Sequence, residues 1–176
     1  MKQFKYWLTS AALLASCAPS ARPYMFHPTN FEDHGVCPFE CCRYREWTVK
    51  KDTSIRTART ENAPVVFTAK KYDTVNGLTG VVITDEAGEA KLLKAMTLND
   101  EPAKKDETVY LLTPLGKDIY KIWYRGKRVR NFEGMSNLKI IRRPTSIWWV
   151  KIGNKKGQIG WSNQPDHFDN KGTCDE

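Results

Sequence analysis

Most of this chain consists of short apolar segments separated by turn residues, and this feature restricts the fold more than any other. The segments are rich in Val, Ile, Thr and aromatic residues, and Gly126, Gly134, Gly153 and Gly157 lie in the gaps between them. No segment longer than about ten residues beyond the N-terminus has helical periodicity. The pattern predicts an all-β fold with a barrel or sandwich architecture.

The predicted strands follow one another from Trp47 to Trp161. They cover residues 47–49, 54–58, 65–69, 79–84, 90–96, 108–113, 119–124, 128–132, 138–141, 147–152 and 158–161. Residues 85–88 (Asp-Glu-Ala-Gly) are predicted to form a hairpin turn. Residues 99–107 are charged and poor in apolar side chains, which indicates a connecting loop between two β units.

The N-terminus has the pattern of a secretory signal peptide over residues 1–16. Lys2 and Lys5 precede an apolar stretch, and a small residue, Ser16, ends it. The stretch is too short to remain as a membrane span. Residues 17–34 follow; their first part is rich in Pro and has no periodicity, so we expect a flexible tether there.

Residues 14–17, Leu-Ala-Ser-Cys, resemble the lipobox of bacterial lipoproteins. The resemblance implies cleavage before Cys17 and attachment of lipid, with palmitate-type acyl chains, to its thiol. In lipoproteins of this kind an Asp after the lipidated cysteine favours retention in the inner membrane. This chain has Ala18 at that position, so the resemblance implies the outer membrane, with the protein facing the periplasm. We therefore expect an exported protein anchored by lipid to the cell envelope, and the membrane is its first expected partner.

If Cys17 carries lipid, the other four cysteines, Cys37, Cys41, Cys42 and Cys174, are expected to form two disulfides in an oxidising compartment. A bond between the adjacent Cys41 and Cys42 would need a strained ring. We therefore expect one of these two to pair with Cys37 and the other with Cys174. The sequence leaves open which one does which.

The same cluster allows an alternative, a thiol or metal protein that uses His34, Cys37, Cys41 and Cys42. Thiolates and imidazoles suit zinc or copper, but structural zinc sites usually have two separated ligand pairs. The cluster is a single crowded run and contains no C-x-x-C motif. We therefore expect no metal ligands and no cofactor.

Several short motifs resemble a bacterial SH3 (SH3b) domain. They are IRTA (55–58), NAPVVFT (62–68) and KKYDTV (70–75) for its opening half, and WWVKI (148–152) with KGQIGW (156–161) for its closing half. Tyr72 stands where the family usually has Gly. Residues 119–127 are similar to the closing hairpin as well. The resemblance implies small SH3-like β-barrels and binding of peptides or cell-wall polymers.

The number of barrels stays open at this point, either one elaborated barrel or two in tandem. In the tandem arrangement, residues 35–98 contain the cysteine cluster and the first SH3-like unit. Residues 99–107 connect it to a second unit at 108–176, which ends in the disulfide-bonded tail.

Alternation along two strands selects the candidate ligand-binding residues. In 147–152 the side chains of Trp148, Val150 and Ile152 share one face, which the β-branched residues mark as inward. The same argument turns Tyr120, Ile122 and Tyr124 inward. The outward aromatic and basic residues predicted to bind a ligand are Trp123, Trp149, Lys121, Arg125 and Lys151, together with Trp161 of the following hairpin.

The charge pattern allows two interpretations, an acidic partner or a solvated strand face that keeps the protein soluble. The chain has a formal net charge of +8, and its densest basic region comprises Arg125, Lys127, Arg128, Arg130, Lys139, Arg142 and Arg143. Such a barrel could bind single-stranded nucleic acid in the cytosol, but behind an export signal we expect peptidoglycan, an anionic envelope polymer, or a peptide or protein partner, and no nucleic acid.

The sequence contains no motif of a known enzyme class. It has no G-x-S-x-G, H-E-x-x-H, Walker or dinucleotide fingerprint. A cysteine peptidase would have to combine one of the clustered cysteines with His167, and a nucleophile must be a free thiolate. We therefore expect a non-catalytic envelope lipoprotein that binds a ligand through an SH3-like module. A purely structural subunit of an envelope complex is a further alternative.

Overall fold

A computed structural model describes residues 28–130, 132 and 134–172 and confirms the predicted all-β fold. Strands account for 57% of the described residues, which contain no α-helix. Two single 3₁₀ turns, Met135–Asn137 and Pro165–His167, are its helical segments. None of the described segments is a helix long and apolar enough to cross a membrane.

The described residues form fifteen strands. In chain order they are β1 (Thr29–His34), β2 (Glu46–Val49), β3 (Thr53–Arg56), β4 (Val65–Ala69), β5 (Thr74–Glu86), β6 (Gly88–Leu92), β7 (Met96–Leu98), β8 (Glu101–Ala103), β9 (Thr108–Gly116), β10 (Ile119–Tyr124), β11 (Lys127–Arg128), β12 (Leu138–Arg142), β13 (Thr145–Gly153), β14 (Ile159–Ser162) and β15 (Phe168–Asp169).

The first sheet has eight strands and curls into half a barrel. Its order is β15-β2-β5-β13-β14-β3-β4, with β1 also paired to β5. The 13-residue β5 is its centre and pairs antiparallel with β1, β2 and β13. The predicted strands 54–58 and 158–161 meet here, because Trp161 of β14 pairs with Arg56 of β3.

The second sheet has five strands in the order β11-β10-β9-β6-β12, and the β7–β8 hairpin forms a separate two-stranded ribbon. The chain therefore builds the first sheet from β1–β5, leaves it for β6–β12, and returns to complete it with β13–β15. The sheets are nested and do not follow one another as the tandem units 35–98 and 108–176 would.

Three local predictions need correction. Residues 85–88 are not a hairpin turn, because β5 and β6 belong to different sheets and Ala87 is the crossing between them. The tether does not extend to residue 34, since Thr29–His34 forms β1. Residues 99–107 do not form a simple loop, because Glu101–Ala103 is strand β8. In each case pairing with distant residues decides the structure, and local composition does not show that pairing.

Each sheet has its own apolar core. In the first sheet the core is Trp47, Val49, Ile55, Ala69, Val75, Val150, Ile152 and Phe168, with Trp148 packed against it. In the second sheet Tyr120, Ile122 and Tyr124 are buried with residues of the neighbouring strands. The inward faces predicted by alternation for β10 and β13 are therefore confirmed.

The cysteine cluster joins the two ends of the described chain. Cys37 and Cys42 form a disulfide, so one of the two predicted pairings with Cys37 is confirmed. Cys41 is disulfide-bonded as well, and Cys42 forms a β-bridge with Gly172, two residues before Cys174. Cys17 and Cys174 lie outside the described residues, so lipidation of Cys17 and the Cys41–Cys174 bond stay predictions, and the position of Gly172 supports the second.

Candidate functional site

Two tight hairpins, the β7–β8 ribbon and the β10–β11 hairpin of the second sheet, form the walls of the best candidate site. Asn99 and Asp100 connect β7 to β8, with φ of 50° and 63°. Arg125 and Gly126 connect β10 to β11, with φ of 44° and 81°. A two-residue loop with positive φ at both positions is the type I′ turn, whose twist matches that of the flanking strands. Asn, Asp and Gly adopt this conformation with little strain.

The side chain of Asn99 fastens one hairpin to the chain that follows the other. Its Nδ2 donates to the Arg128 carbonyl oxygen at 3.0 Å, and its Oδ1 accepts from the Arg130 backbone N–H at 3.1 Å. These bonds satisfy backbone groups that β11, an edge strand, would otherwise leave to solvent. Between the hairpins lies an open groove of about 750 Å³, which we call the Trp123 groove. It is lined by Thr97, Asn99, Asp100, Trp123, Lys127, Arg128 and Arg130.

Trp123 forms the aromatic wall of this groove. It is half-buried on the outer face of β10, opposite the buried Ile122 and Tyr124. Its cross-strand neighbours are Tyr110 and Arg128. Phe31 of β1 packs edge-on against its ring, with centroids 6.4 Å apart and planes at 64°. Strand β1 therefore supports the indole from the first sheet.

The groove is basic. Lys127 Nζ lies 3.5 Å from Glu101 Oε1, a long and exposed ion pair. Arg128 and Arg130 are both exposed, and among the residues that the structure describes no carboxylate pairs with either of them. Asp100 is the single acidic side chain among the lining residues. Arg128 and Arg130 can therefore bind an anionic group of a ligand, while the neighbouring indole of Trp123 contacts an apolar ring of the same ligand.

Lys121, predicted to bind ligand, is instead part of the contact between the sheets. Its Nζ lies 2.5 Å from Oδ2 of Asp33 in β1, and the side chains are 24% and 8% exposed. A lysine in a buried ion pair is not available to an external anion. The sequence argument placed Lys121 correctly on the outer face of β10 but did not foresee that β1 covers that position.

Arg125 is also engaged by the protein. Its guanidinium lies 3.2 Å from Glu107 Oε2 and 3.6 Å from Glu101 Oε2, and Cζ lies 4.8 Å from the centroid of Tyr124. The hydroxyl of Tyr124 donates to Glu107 Oε2. This bond, with the positive charge of Arg125, lowers the pKa of Glu107. Burial, the bond to Glu107 and that carboxylate's charge raise the pKa of Tyr124 to about 12.

We predict that Tyr124→Phe raises the pKa of Glu107 towards its ordinary value, because the hydrogen bond that favours the carboxylate is lost. Ionised Glu107 stabilises the fold above its ordinary pKa, and this contribution disappears as the pH falls through the lowered pKa. The variant should therefore lose less stability on acidification than the parent protein. An NMR titration of the Glu107 carboxyl carbon measures the shift, and an unchanged pKa would contradict the assignment.

The remaining predicted site residues lie on the first sheet. Trp161 is half-buried, with Lys151 Nζ 5.6 Å and Arg59 Cζ 5.7 Å from its ring. The cations predicted beside an aromatic ring are therefore present, but they cover the ring themselves. Trp149 is only 5% exposed, so its prediction as an outward stacking residue is wrong. It pairs with Val81 of β5, where both Val81 and Val82 are buried, so the sheet is covered on both faces there.

The cysteine cluster does not offer the ligands of a thiol or metal site. Its three described cysteines are disulfide-bonded, and disulfide sulfurs cannot serve as thiolate ligands or nucleophiles. His34 pairs with Glu32, Nε2 to Oε2 at 3.0 Å. His167 Nδ1 lies 2.8 Å from the hydroxyl oxygen of Thr53. No group of three metal-ligating side chains occurs among residues 28–130, 132 and 134–172.

Comparison of the chain with protein families, curated proteins and solved structures finds no match. The case for a site therefore depends on its geometry and chemistry. The structure keeps one predicted ligand-binding residue, Trp123, in an open groove. It adds Lys127, Arg128 and Arg130, which belong to the basic region seen in the sequence, and Asn99, which the sequence analysis missed. The Asn-Asp pair at 99–100 was the available signal, because this dipeptide favours a type I′ hairpin.

Proposed function

We propose that this protein is a non-catalytic envelope lipoprotein that binds an anionic polymer in the Trp123 groove. The observation that supports this proposal most is that Trp123 and two exposed arginines, Arg128 and Arg130, line the same open groove. The arginines would bind phosphate or carboxylate groups of the polymer. The indole would contact an apolar surface of the repeat unit, such as a sugar ring.

An extended ligand fits this groove better than a compact one. The groove is open to solvent and lies between two hairpins, so it is not a closed cavity. An ion pair at such a surface contributes little by itself, so affinity would arise from several weak contacts along a chain. Binding of this kind weakens as the salt concentration rises.

The expected membrane anchor places the groove near the envelope surface. Cys17 precedes β1 by eleven residues, which reach at most about 40 Å when fully extended. β1 itself contacts the groove through Phe31 and Trp123. The disulfide between Cys37 and Cys42 supports an exported location, because such bonds persist in oxidising compartments. The pairing of the two SH3-like stretches within one curled sheet supports the proposed binding module.

We predict that Trp123→Ala lowers the affinity for a phosphate-bearing polysaccharide about tenfold. Removing an apolar contact of this size costs about 1.4 kcal/mol, which corresponds to that factor. Suitable probes are the delipidated core of lipopolysaccharide and the same polysaccharide after removal of its phosphates. Isothermal titration calorimetry at two salt concentrations measures the loss.

Charge variants complete this test. Arg128→Ala and Arg130→Ala should each weaken binding several-fold and reduce its salt dependence, whereas Lys51→Ala, an exposed cation outside the groove, should change neither. The dephosphorylated probe should bind weakly to every variant. Equal binding of the parent protein and the Trp123 and arginine variants would refute the proposed site.

A further inference from the structure

A second groove, on the first sheet, is built around an aromatic side chain that the function proposed above does not use. Tyr72 lies in the turn between β4 and β5 and is 77% exposed, more than any other large apolar side chain in the described part of the chain. Its φ is 73°, in the left-handed region where a bulky side chain is strained and glycine is not. A residue kept in a strained and exposed position points to a role outside the fold.

Hydrogen bonds fix the backbone of the turn that carries Tyr72. The Tyr72 backbone N–H donates to the Val49 carbonyl oxygen at 2.8 Å. Asp73 Oδ2 accepts from the Lys70 backbone N–H at 2.8 Å, and the Asp73 N–H donates to the Lys70 carbonyl at 2.9 Å. Lys71 Nζ lies 4.8 Å from the ring centroid and covers one face. Because Tyr72 is 77% exposed, much of its surface stays accessible to a ligand.

The β13–β14 turn forms the other side of this groove, which has a volume of about 470 Å³. Asn154 Oδ1 accepts from the backbone N–H groups of Lys156 and Gln158, both at 3.0 Å, and its Nδ2 donates to Gln158 Oε1 at 2.8 Å. These bonds fix the turn relative to the sheet. The polar side chains of the lining are hydroxyl, amide, carboxylate and ammonium groups, from Thr68, Asp73, Thr74, Asn154, Lys155, Lys156 and Gln158.

We propose that this Tyr72 groove binds a saccharide. Sugar rings present C–H groups on their faces, which pack on an aromatic ring, and hydroxyls at their edges, each of which donates and accepts hydrogen bonds. The groove supplies the ring of Tyr72 and both donors and acceptors at its rim. The lining carries one carboxylate, Asp73, beside two ammonium groups, Lys155 and Lys156, and the proposed contacts are with the neutral hydroxyls and ring faces of a sugar. The inference is independent of the polyanion site proposed at the Trp123 groove, because it concerns another sheet and another ligand chemistry.

The test uses a β-1,4-linked N-acetylglucosamine tetramer as the probe and NMR titration of the ¹⁵N-labelled protein as the measurement. We expect millimolar or tighter binding, with shifts at Tyr72, Asp73 and Asn154. Tyr72→Phe keeps the ring and should retain affinity within about threefold, whereas Tyr72→Ala should lose at least about tenfold. Trp123→Ala should bind the tetramer as the parent does, which separates this site from the anionic one.

A stability measurement distinguishes a binding role from a structural one. Tyr72→Gly removes the ring and relieves the left-handed strain, so it should raise the melting temperature by about 2–4 °C while it abolishes tetramer binding. A protein that needs Tyr72 for its fold would instead melt earlier. The proposal would be overturned if the parent protein did not bind the tetramer, if Tyr72→Ala bound it undiminished, or if the shifts were confined to other residues. Specific capture of a peptide at this groove without saccharide binding would overturn it as well.

Discussion

Trp47→Ala is expected to destabilise the protein by about 3–5 kcal/mol, which is the usual cost of removing a buried tryptophan. The Trp47 side chain is completely buried. Its ring lies 5.7 Å from that of Tyr44, 5.9 Å from that of Phe168 and 6.3 Å from that of Trp148. Its Nε1 donates to the Arg43 carbonyl oxygen at 3.0 Å. The ring thus joins β2, β13 and β15 in the core of the first sheet.

The backbone of β5 is shaped to the same ring. A Cβ on Gly77 would lie 2.6 Å from Trp47 Cε2, so the indole packs directly on the glycine. Neighbouring side chains cannot fill the space left by the alanine variant without moving this backbone. Urea denaturation followed by circular dichroism measures the loss. Leu78→Ala, at an exposed site of β5 beside Gly77, is the control and should change stability by less than about 0.5 kcal/mol. A loss below about 1 kcal/mol for Trp47→Ala would show that this core is not tightly packed.

Lys121→Met is expected to cost about 3–5 kcal/mol, because it leaves the buried carboxylate of Asp33 without its partner. Asp33 belongs to β1 of the first sheet and Lys121 to β10 of the second, so the pair connects the two sheets. The double variant Asp33→Leu with Lys121→Met removes both charges and should recover most of the loss. Denaturant unfolding of the single and double variants measures the coupling.

The exposed pair formed by Lys70 and Asp52 provides the matched control. Its Nζ–Oδ2 distance is 2.8 Å, but both side chains are more than half exposed. Lys70→Met should therefore leave stability nearly unchanged. If Lys121→Met behaved like Lys70→Met, the contact between β1 and β10 would not hold the sheets together. Phe31 lies on β1, the strand that Lys121 holds through Asp33, and it packs against Trp123. Lys121→Met should therefore also weaken polyanion binding.

Local sequence patterns determined much of the fold. The strands predicted at 65–69 and 119–124 match the observed bounds, because alternation and β-branched residues define both the extended conformation and the inward face. The inward faces of β10 and β13 follow from the same rule. A bond between the adjacent Cys41 and Cys42 would need a strained ring, so the sequence predicts that Cys37 pairs with one of them. The structure shows the bond between Cys37 and Cys42.

Long-range pairing was beyond the reach of such patterns. Alternation identifies two faces of a strand, but it does not show whether a second layer covers the outer one, so Trp149 and Lys121 were assigned to solvent. β1 has few apolar residues and becomes a strand because it pairs with β5. The nested order of the sheets depends on the pairing of β13 with β5. In this pairing Thr145 lies opposite Glu86, which is 59 positions earlier in the sequence. The Trp123 groove needs two hairpins and Asn99 to be brought together, which no local signal reports.

The most direct test of the anionic binding site is an NMR titration of the ¹⁵N-labelled protein with the phosphate-bearing polysaccharide. We expect the indole N–H of Trp123 and the backbone amides of Arg128 and Arg130 to shift first, and we expect added salt to reverse these shifts. Shifts confined to the first sheet, with the Trp123 indole unmoved at saturation, would contradict the proposed site.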